Sequence, residues 1–211
     1  MLRTRVKICG ITRVEDIQTC VNFGVDAIGF VFVESSPRCV SIEQAAELSS
    51  KVPPFMQTVG LFMGQSSDFV ASVLREVPLN LLQFHGDESP AECEIHNLDY
   101  IKAIPMGGGT DPAKYASGYK KSKGFLLDSH KLGESGGSGG TFDWSKVPDN
   151  LNKPLILAGG LTIENVATAV AEVRPYAVDV SSGVEAAKGL KDQEKIAAFI
   201  RGVKQGDKST N

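Results

Sequence analysis

Four side chains able to move protons or hold a ligand stand at the ends of short apolar runs: Cys9, His85, Asp128 and Asp179. They come from four distant parts of the chain, so only a fold that gathers strand ends in one place would bring them together. Such groups suit acid–base work. The imidazole and second carboxylate suit substrate contacts, or for the imidazole a hydrogen bond to a loop. A second signal is glycine and serine at two later run ends. Ala158-Gly159-Gly160-Leu161-Thr162 follows one run, and Ser181-Ser182-Gly183-Val184-Glu185 follows the next. Glycine at a strand-to-helix turn lets backbone N–H groups approach an anion, and a helix start favours negative charge. These two turns point to a phosphate held by Gly159, Gly160, Ser181, Ser182 and Gly183. Acid–base chemistry on a phosphorylated small molecule, with no metal, is the expectation.

The elements that must position these groups are legible as alternating runs. Val6–Cys9, Ala27–Phe32, Thr58–Phe62, Leu81–His85, Tyr100–Ile104, Gly124–Asp128, Leu155–Ala158 and Ala177–Val180 are short, apolar and bounded by turn residues. They recur at roughly 20–30 residue intervals, as buried parallel strands with helices between them do. Thr12 with Glu15 and Ser41 with Gln44 predict capping boxes, Ser89-Pro90 with Glu92 adds proline at the first helical position, and Gly24 predicts a helix C-cap. Eight such units predict an α/β fold, a single-domain (β/α)8 TIM barrel. The competing doubly wound sheet would carry GxGxxG after its first strand, and Cys9-Gly10-Ile11-Thr12 stands there instead.

In a barrel, helices cover the outside of each strand, so alternation sends polar residues inward. Val6 and Ile8 then face outward, with Lys7 and Cys9 inside. Leu82 and Phe84 face outward, with Gln83 and His85 inside. Barrel active sites lie at the C-terminal strand ends, and the loops after strands seven and eight commonly hold phosphate. The predicted residues fall at those places. Residues 1–204 are predicted to form the barrel, and 205–211 a frayed polar tail.

Composition narrows the function classes. The 211 residues include 22 Lys+Arg against 25 Asp+Glu, a net charge of −3, with no basic block to attract nucleic acid. No apolar run approaches the ~20 residues needed to cross a bilayer, and no targeting segment precedes the first strand, so a cytoplasmic protein is expected. Cys9, Cys20, Cys39 and Cys93 show no CxxC spacing, which predicts free thiols without a disulfide framework or zinc site. No apolar interface stripe is evident, and a monomer is expected. Gly133–Gly140 has linker composition, but strand–helix alternation continues past it, which favours a lid or binding loop over a domain boundary.

With these motifs placed, the sequence resembles the phosphoribosylanthranilate isomerases of tryptophan biosynthesis. The resemblance is carried, in order, by Lys7-Ile8-Cys9-Gly10-Ile11-Thr12, Ser36-Pro37-Arg38, Gln83-Phe84-His85-Gly86, Leu127-Asp128, Gly137-Ser138-Gly139 before Thr141-Phe142-Asp143-Trp144, Ala158-Gly159-Gly160-Leu161 and Asp179-Val180-Ser181-Ser182-Gly183-Val184-Glu185. One departure is Gly140, at a position often filled by a longer polar residue. The resemblance implies an Amadori rearrangement that needs no cofactor. It implies Asp128 as the acid for the ring oxygen and Cys9 as the base for the C2′ proton. It also implies Arg38 on the anthranilate carboxylate. Their strand-end positions put Asp179 and His85 at the substrate, His85 either lining the pocket or hydrogen-bonding a loop, and the amides of the glycine-rich loop, Gly137 and Gly139 among them, are expected to add donors for the phosphate. A free thiol and a free carboxylic acid both start in the wrong protonation state for those roles. Lys7 is expected to favour the thiolate, and burial to favour protonated Asp128. Two other readings stay open. A histidine-pathway aminoaldose-phosphate isomerase would be expected to carry aspartate where Cys9 stands, and a non-catalytic phosphate-ligand barrel has no need of the Cys9–Asp128 pair.

Overall fold

The computed structural model describes residues 3–130, 141–148 and 151–209. Eight parallel strands close into a barrel in chain order: β1 (Arg5–Cys9), β2 (Ala27–Val31), β3 (Gln57–Phe62), β4 (Leu81–Phe84), β5 (Tyr100–Pro105), β6 (Phe125–Asp128), β7 (Leu155–Leu157) and β8 (Ala177–Val180). β1 pairs with both β2 and β8, which closes the ring, and the register sets Lys7 beside Asp179. Each strand matches an apolar run of the sequence to within a residue or so. The helices are α1 (Val14–Phe23), α2 (Ile42–Ser49), α3 (Ser67–Glu76), α4 (Pro90–Glu94), α5 (Pro112–Ala116), α6 (Val166–Val173) and α7 (Gln193–Ser209). Among the described residues, only a 3-10 turn at Trp144–Lys146 stands between β6 and β7.

Outward strand residues such as Val6, Ile8, Leu82 and Phe84 join the helices in one core, while Ile101, Ala103, Leu126, Ile156, Ala158 and Ala177 fill the barrel. Ser89 and Glu92 form the capping box with Pro90 at the first position, and Gly24 closes α1 at φ 72°. The Ser41–Gln44 box is only half made: Ser41 accepts from Gln44 N, but the Gln44 side-chain amide donates to Thr12 O at 3.0 Å. Thr12 does not cap α1. That helix starts at Val14 without a side-chain cap, and Thr12 Oγ1 instead donates to Gly189 O at 2.7 Å. The residues from Gln205 to Ser209 are not a frayed tail. They complete α7, whose Val203 and Gly206 are buried, and Asp207 accepts from Thr4 N and Thr4 Oγ1 at 3.1 and 2.7 Å. Phe55, at φ 71°, is fully exposed, an apolar feature the sequence reading did not single out.

One charged residue breaks the rule that the outside of the barrel is apolar. Lys102 on β5 is completely buried on the helix side, with Nζ 3.3 Å from Glu88 Oε2, donating to Phe84 O at 3.3 Å and to Gly86 O. Tyr115 and Tyr119 present ring faces to the same ammonium. Removing one partner of such a pair strands the other charge in a dry site, which typically costs about 3–5 kcal/mol. Lys102→Ala is therefore expected to lower the urea-unfolding free energy by about that amount, against a fraction of a kcal/mol for the exposed Lys123→Ala. Equal, small effects would show that Lys102 is not a structural cation.

Candidate active site

Cys9 ends β1, His85 follows β4, Asp128 ends β6 and Asp179 lies one residue before the end of β8, so all four meet at the C-terminal mouth. A single pocket there is lined by all four, with Arg38, Gln83, Gly159, Gly160, Ser181 and Ser182. Its apolar wall is Val31, Val33, Leu61 and Met63, of which Val31 and Val33 pack with Cys9. Gly29 on β2 makes room for the thiol, since a Cβ there would sit 2.8 Å from Cys9 Sγ.

Lys7, one layer deeper, pairs with Asp179 at 2.8 Å. Burial works against the ammonium, but Asp179 and Cys9 hold its pKa above the ordinary value. The carboxylate already neutralises Lys7, so the expected thiolate activation does not follow. Burial pushes the Cys9 thiol up, Lys7 only partly opposes it, and Asp179 adds to the rise. Burial also raises Asp179, against the pull of Lys7 and with Asp128 adding to it.

Asp128 departs from expectation in the opposite sense. Burial alone would raise its pKa, but His130 and His85 outweigh that and hold the carboxyl well below its usual range. Its Oδ2 lies 3.4 Å from His85 Nε2, and its Oδ1 lies 3.4 Å from His130 Nδ1 and accepts from His130 N at 3.2 Å. The two imidazole rings stack at 4.6 Å and 28°. His130 is buried, and the sequence reading did not identify it. Its signal was a second histidine two residues past the predicted acid, on the near side of the glycine-rich loop.

Arg38 reaches the pocket, and its Nε and Nη2 donate to Glu185 Oε1 and Oε2 at 2.7 and 2.8 Å. Glu185 also accepts from Lys191 Nζ at 2.8 Å, and Lys191 Nζ donates to Ser181 O at 3.2 Å. Burial opposes the Glu185 charge, yet Arg38 and Lys191 hold its pKa down. This network was not evident in the sequence. It depends on two very short strands, β9 (Glu185–Ala187) and β10 (Leu190–Lys191), whose lengths leave no periodicity to read. The pair fixes the Arg38 fork beside the mouth while two of its five N–H groups are committed to Glu185.

The turns proposed for phosphate behave differently from one another. Gly159 and Gly160 have φ of 79° and 64°, and a 3-10 helix (Ser182–Val184) starts after β8. Gly159, Gly160, Ser181 and Ser182 line the pocket, whereas Gly183 packs on the backbone. A Cβ on Gly183 would fall 2.0 Å from Leu161 O, so its lack of a side chain is first a packing requirement. The helix after β7 does not open at Leu161-Thr162 but at Val166. Gly137 and Gly139 lie outside the described residues.

A closed eight-stranded parallel barrel with a thiol, two carboxylates and two turns of glycine and serine gathered at its C-terminal mouth is a barrel of the enzyme class. Residues 6–202 match the family described as N-(5'phosphoribosyl)anthranilate (PRA) isomerase, and the chain belongs to that family. It is 56% identical over 199 residues to N-(5'-phosphoribosyl)anthranilate isomerase of Thiobacillus denitrificans, covering 94% of this chain and 97% of that one. The phosphoribosyl anthranilate isomerase structure from Thermotoga maritima superposes with a TM-score of 0.87 at 42% identity, covering 95% of this chain and 98% of that chain. Another solved isomerase of this name, in complex with reduced 1-(o-carboxyphenylamino)-1-deoxyribulose 5-phosphate, gives a TM-score of 0.82 at 39% identity, covering 95% and 98%. Among the described residues no helix is long and apolar enough to cross a membrane.

Proposed function

We propose that the protein converts N-(5-phosphoribosyl)anthranilate into 1-(2-carboxyphenylamino)-1-deoxyribulose 5-phosphate in tryptophan biosynthesis. The observation that carries this reading is Cys9 and Asp128 facing one pocket from β1 and β6, with the Gly159-Gly160 and Ser181-Ser182 turns on the same rim. Asp128 gives a proton to the furanose oxygen as the C1′–O bond breaks and the anthranilate nitrogen lone pair forms the C=N bond. Cys9 then takes the C2′ proton, and the C2′–H electron pair moves into C1′–C2′ while the iminium nitrogen becomes neutral. The enol O–H proton is lost and C1′ gains one, which completes the ketone with no net change in protons, and proton exchange returns Asp128 to the acid and Cys9 to the thiolate. The iminium is its own electron sink, so these steps call for no added group.

The remaining pocket residues suit the rest of the substrate. Backbone amides at Gly159, Gly160, Ser181 and Ser182 suit the 5-phosphate. The Val31, Val33, Leu61 and Met63 wall suits the aromatic ring, with Arg38 placed for its carboxylate. His85 and Asp179 border the sugar.

The purified protein is expected to remove the fluorescence of N-(5-phosphoribosyl)anthranilate by turnover. An analogue lacking the ring carboxylate is expected to be a much poorer substrate. Turnover only of the histidine-pathway aminoaldose phosphate would transfer the chain to that reaction. Binding without turnover of either would make it a phosphate-ligand sensor.

A further inference from the structure

Asp128 is flanked by two buried imidazoles, and proton donation to one ring oxygen requires neither a second histidine nor their stacking. We infer that His85, Asp128 and His130 form a binding site for a divalent transition-metal ion of the zinc class, which inhibits the enzyme by occupying its acid. Two imidazoles and one carboxylate are a donor set that such ions accept, leaving further positions open for water or substrate. The three side chains offer ligand atoms all within 4.8 Å of one another. Zinc bonds of about 2.0–2.2 Å in a tetrahedron place neighbouring ligand atoms roughly 3.3–3.6 Å apart. Each imidazole stands 3.4 Å from a different oxygen of the carboxylate, His85 Nε2 from Oδ2 and His130 Nδ1 from Oδ1, so an ion between the rings would draw the three ligand atoms, now within 4.8 Å of one another, slightly together.

Two unsatisfied atoms point the same way. His130 Nδ1 is buried without a hydrogen-bond partner, which coordination would supply. Gln83 Nε2 lies 3.1 Å from His85 Nδ1, while Gln83 Oε1 is buried without a partner. Turning that amide over aims its oxygen at His85 Nδ1–H and frees Nε2 for a metal, the outer support that metal-bound histidines characteristically have. The sequence reading expects no metal, and a site of two histidines and one carboxylate, without a cysteine, departs from it.

The inhibitory half rests on Asp128 being the acid; the binding half does not. Chelator-treated protein carrying Cys39→Ser, which removes an exposed competing thiol, is titrated with zinc alone by calorimetry and with cobalt(II) by visible absorption. One ion per chain is expected, with His130→Asn and His85→Asn each weakening binding at least about 100-fold. Zinc should raise the Tm of the parent but not of either variant. Zinc should also abolish parental turnover reversibly by chelation, while the same concentration leaves the rate of the His130→Asn variant at its own metal-free value. No binding, or equal affinity in the parent and both folded variants, overturns the site. Binding lost in both variants with parental turnover unaffected keeps the site but overturns the inhibition and, with it, Asp128 as the acid. A parent without isomerase activity that still binds zinc through both histidines overturns the proposed reaction alone.

Discussion

Asp128→Asn is expected to lower kcat by at least about 10²–10⁴-fold with little change in KM, the loss typical of a general acid. Asparagine keeps the shape and retains an oxygen to accept from His130 N, but it has no proton to give the ring oxygen. The measurement is steady-state turnover of N-(5-phosphoribosyl)anthranilate, with unfolding curves to show that the variant is intact. The stacked imidazoles make the outcome informative. If His85 or His130 delivered the proton directly, the asparagine variant would keep a substantial kcat, and Asp128 would become a residue that only positions the rings. A large rise in KM with kcat preserved would likewise remove it from the chemistry.

Cys9→Ser is expected to lose activity by a similar factor, because a serine hydroxyl without a partner base ionises far outside the working range. The pH dependence supplies a second reading. In the unliganded site the pair holds one proton, and that proton rests on the thiol, since burial raises Cys9 while His130 and His85 hold Asp128 down. The form that the proposed reaction needs has it on Asp128 instead. Between the two pKa values the gain in thiolate on raising pH cancels the loss of carboxylic acid, so kcat/KM is flat. Below the plateau both groups are protonated and thiolate becomes scarcer. Above it both are ionised and no acid remains. The directions of the shifts widen this plateau at both ends, with the acid limb below the ordinary carboxyl range and the alkaline limb above the ordinary thiol range. Cys9→Ser should lose or displace the alkaline limb. In a Cys39→Ser background, a substrate analogue should slow alkylation of Cys9. Near-parental kcat with an unchanged profile would return Cys9 to the role of a small core side chain.

How much of this was legible in the chain depends on the range of the signal. The eight strands were readable because parallel strands covered on both faces must be short and apolar, and Val6, Ile8, Leu82 and Phe84 fixed by alternation which neighbours turn inward. Cys9, His85, Asp128 and Asp179 reach one pocket because each sits at the C-terminal end of such a strand, where a closed barrel brings ends together. Ser89, Pro90, Glu92 and Gly24 acted as expected because capping is decided within one helical turn.

Tertiary structure decided what depends on partners from remote segments. Thr12 had the spacing of a cap, yet the Gly189 carbonyl from the far end of the chain took its hydroxyl. Gln205–Ser209 is polar enough to fray, but Asp207 is tied to Thr4 and Gly206 packs against α6, where a Cβ would lie 2.6 Å from Ala167 O. Lys102 occupies an outward strand position because Glu88 and two backbone carbonyls were folded onto it. The protonation states belong to the same class. Lys7 is two residues from Cys9, and proximity in sequence suggested activation, but Asp179 from β8 claims its charge. Sequence determined the barrel, the strand-end residues and their inward direction, because local periodicity and capping dictate those. Charge balance at the site was decided only on closure of the barrel, because electrostatics follow distance in space and the removal of water.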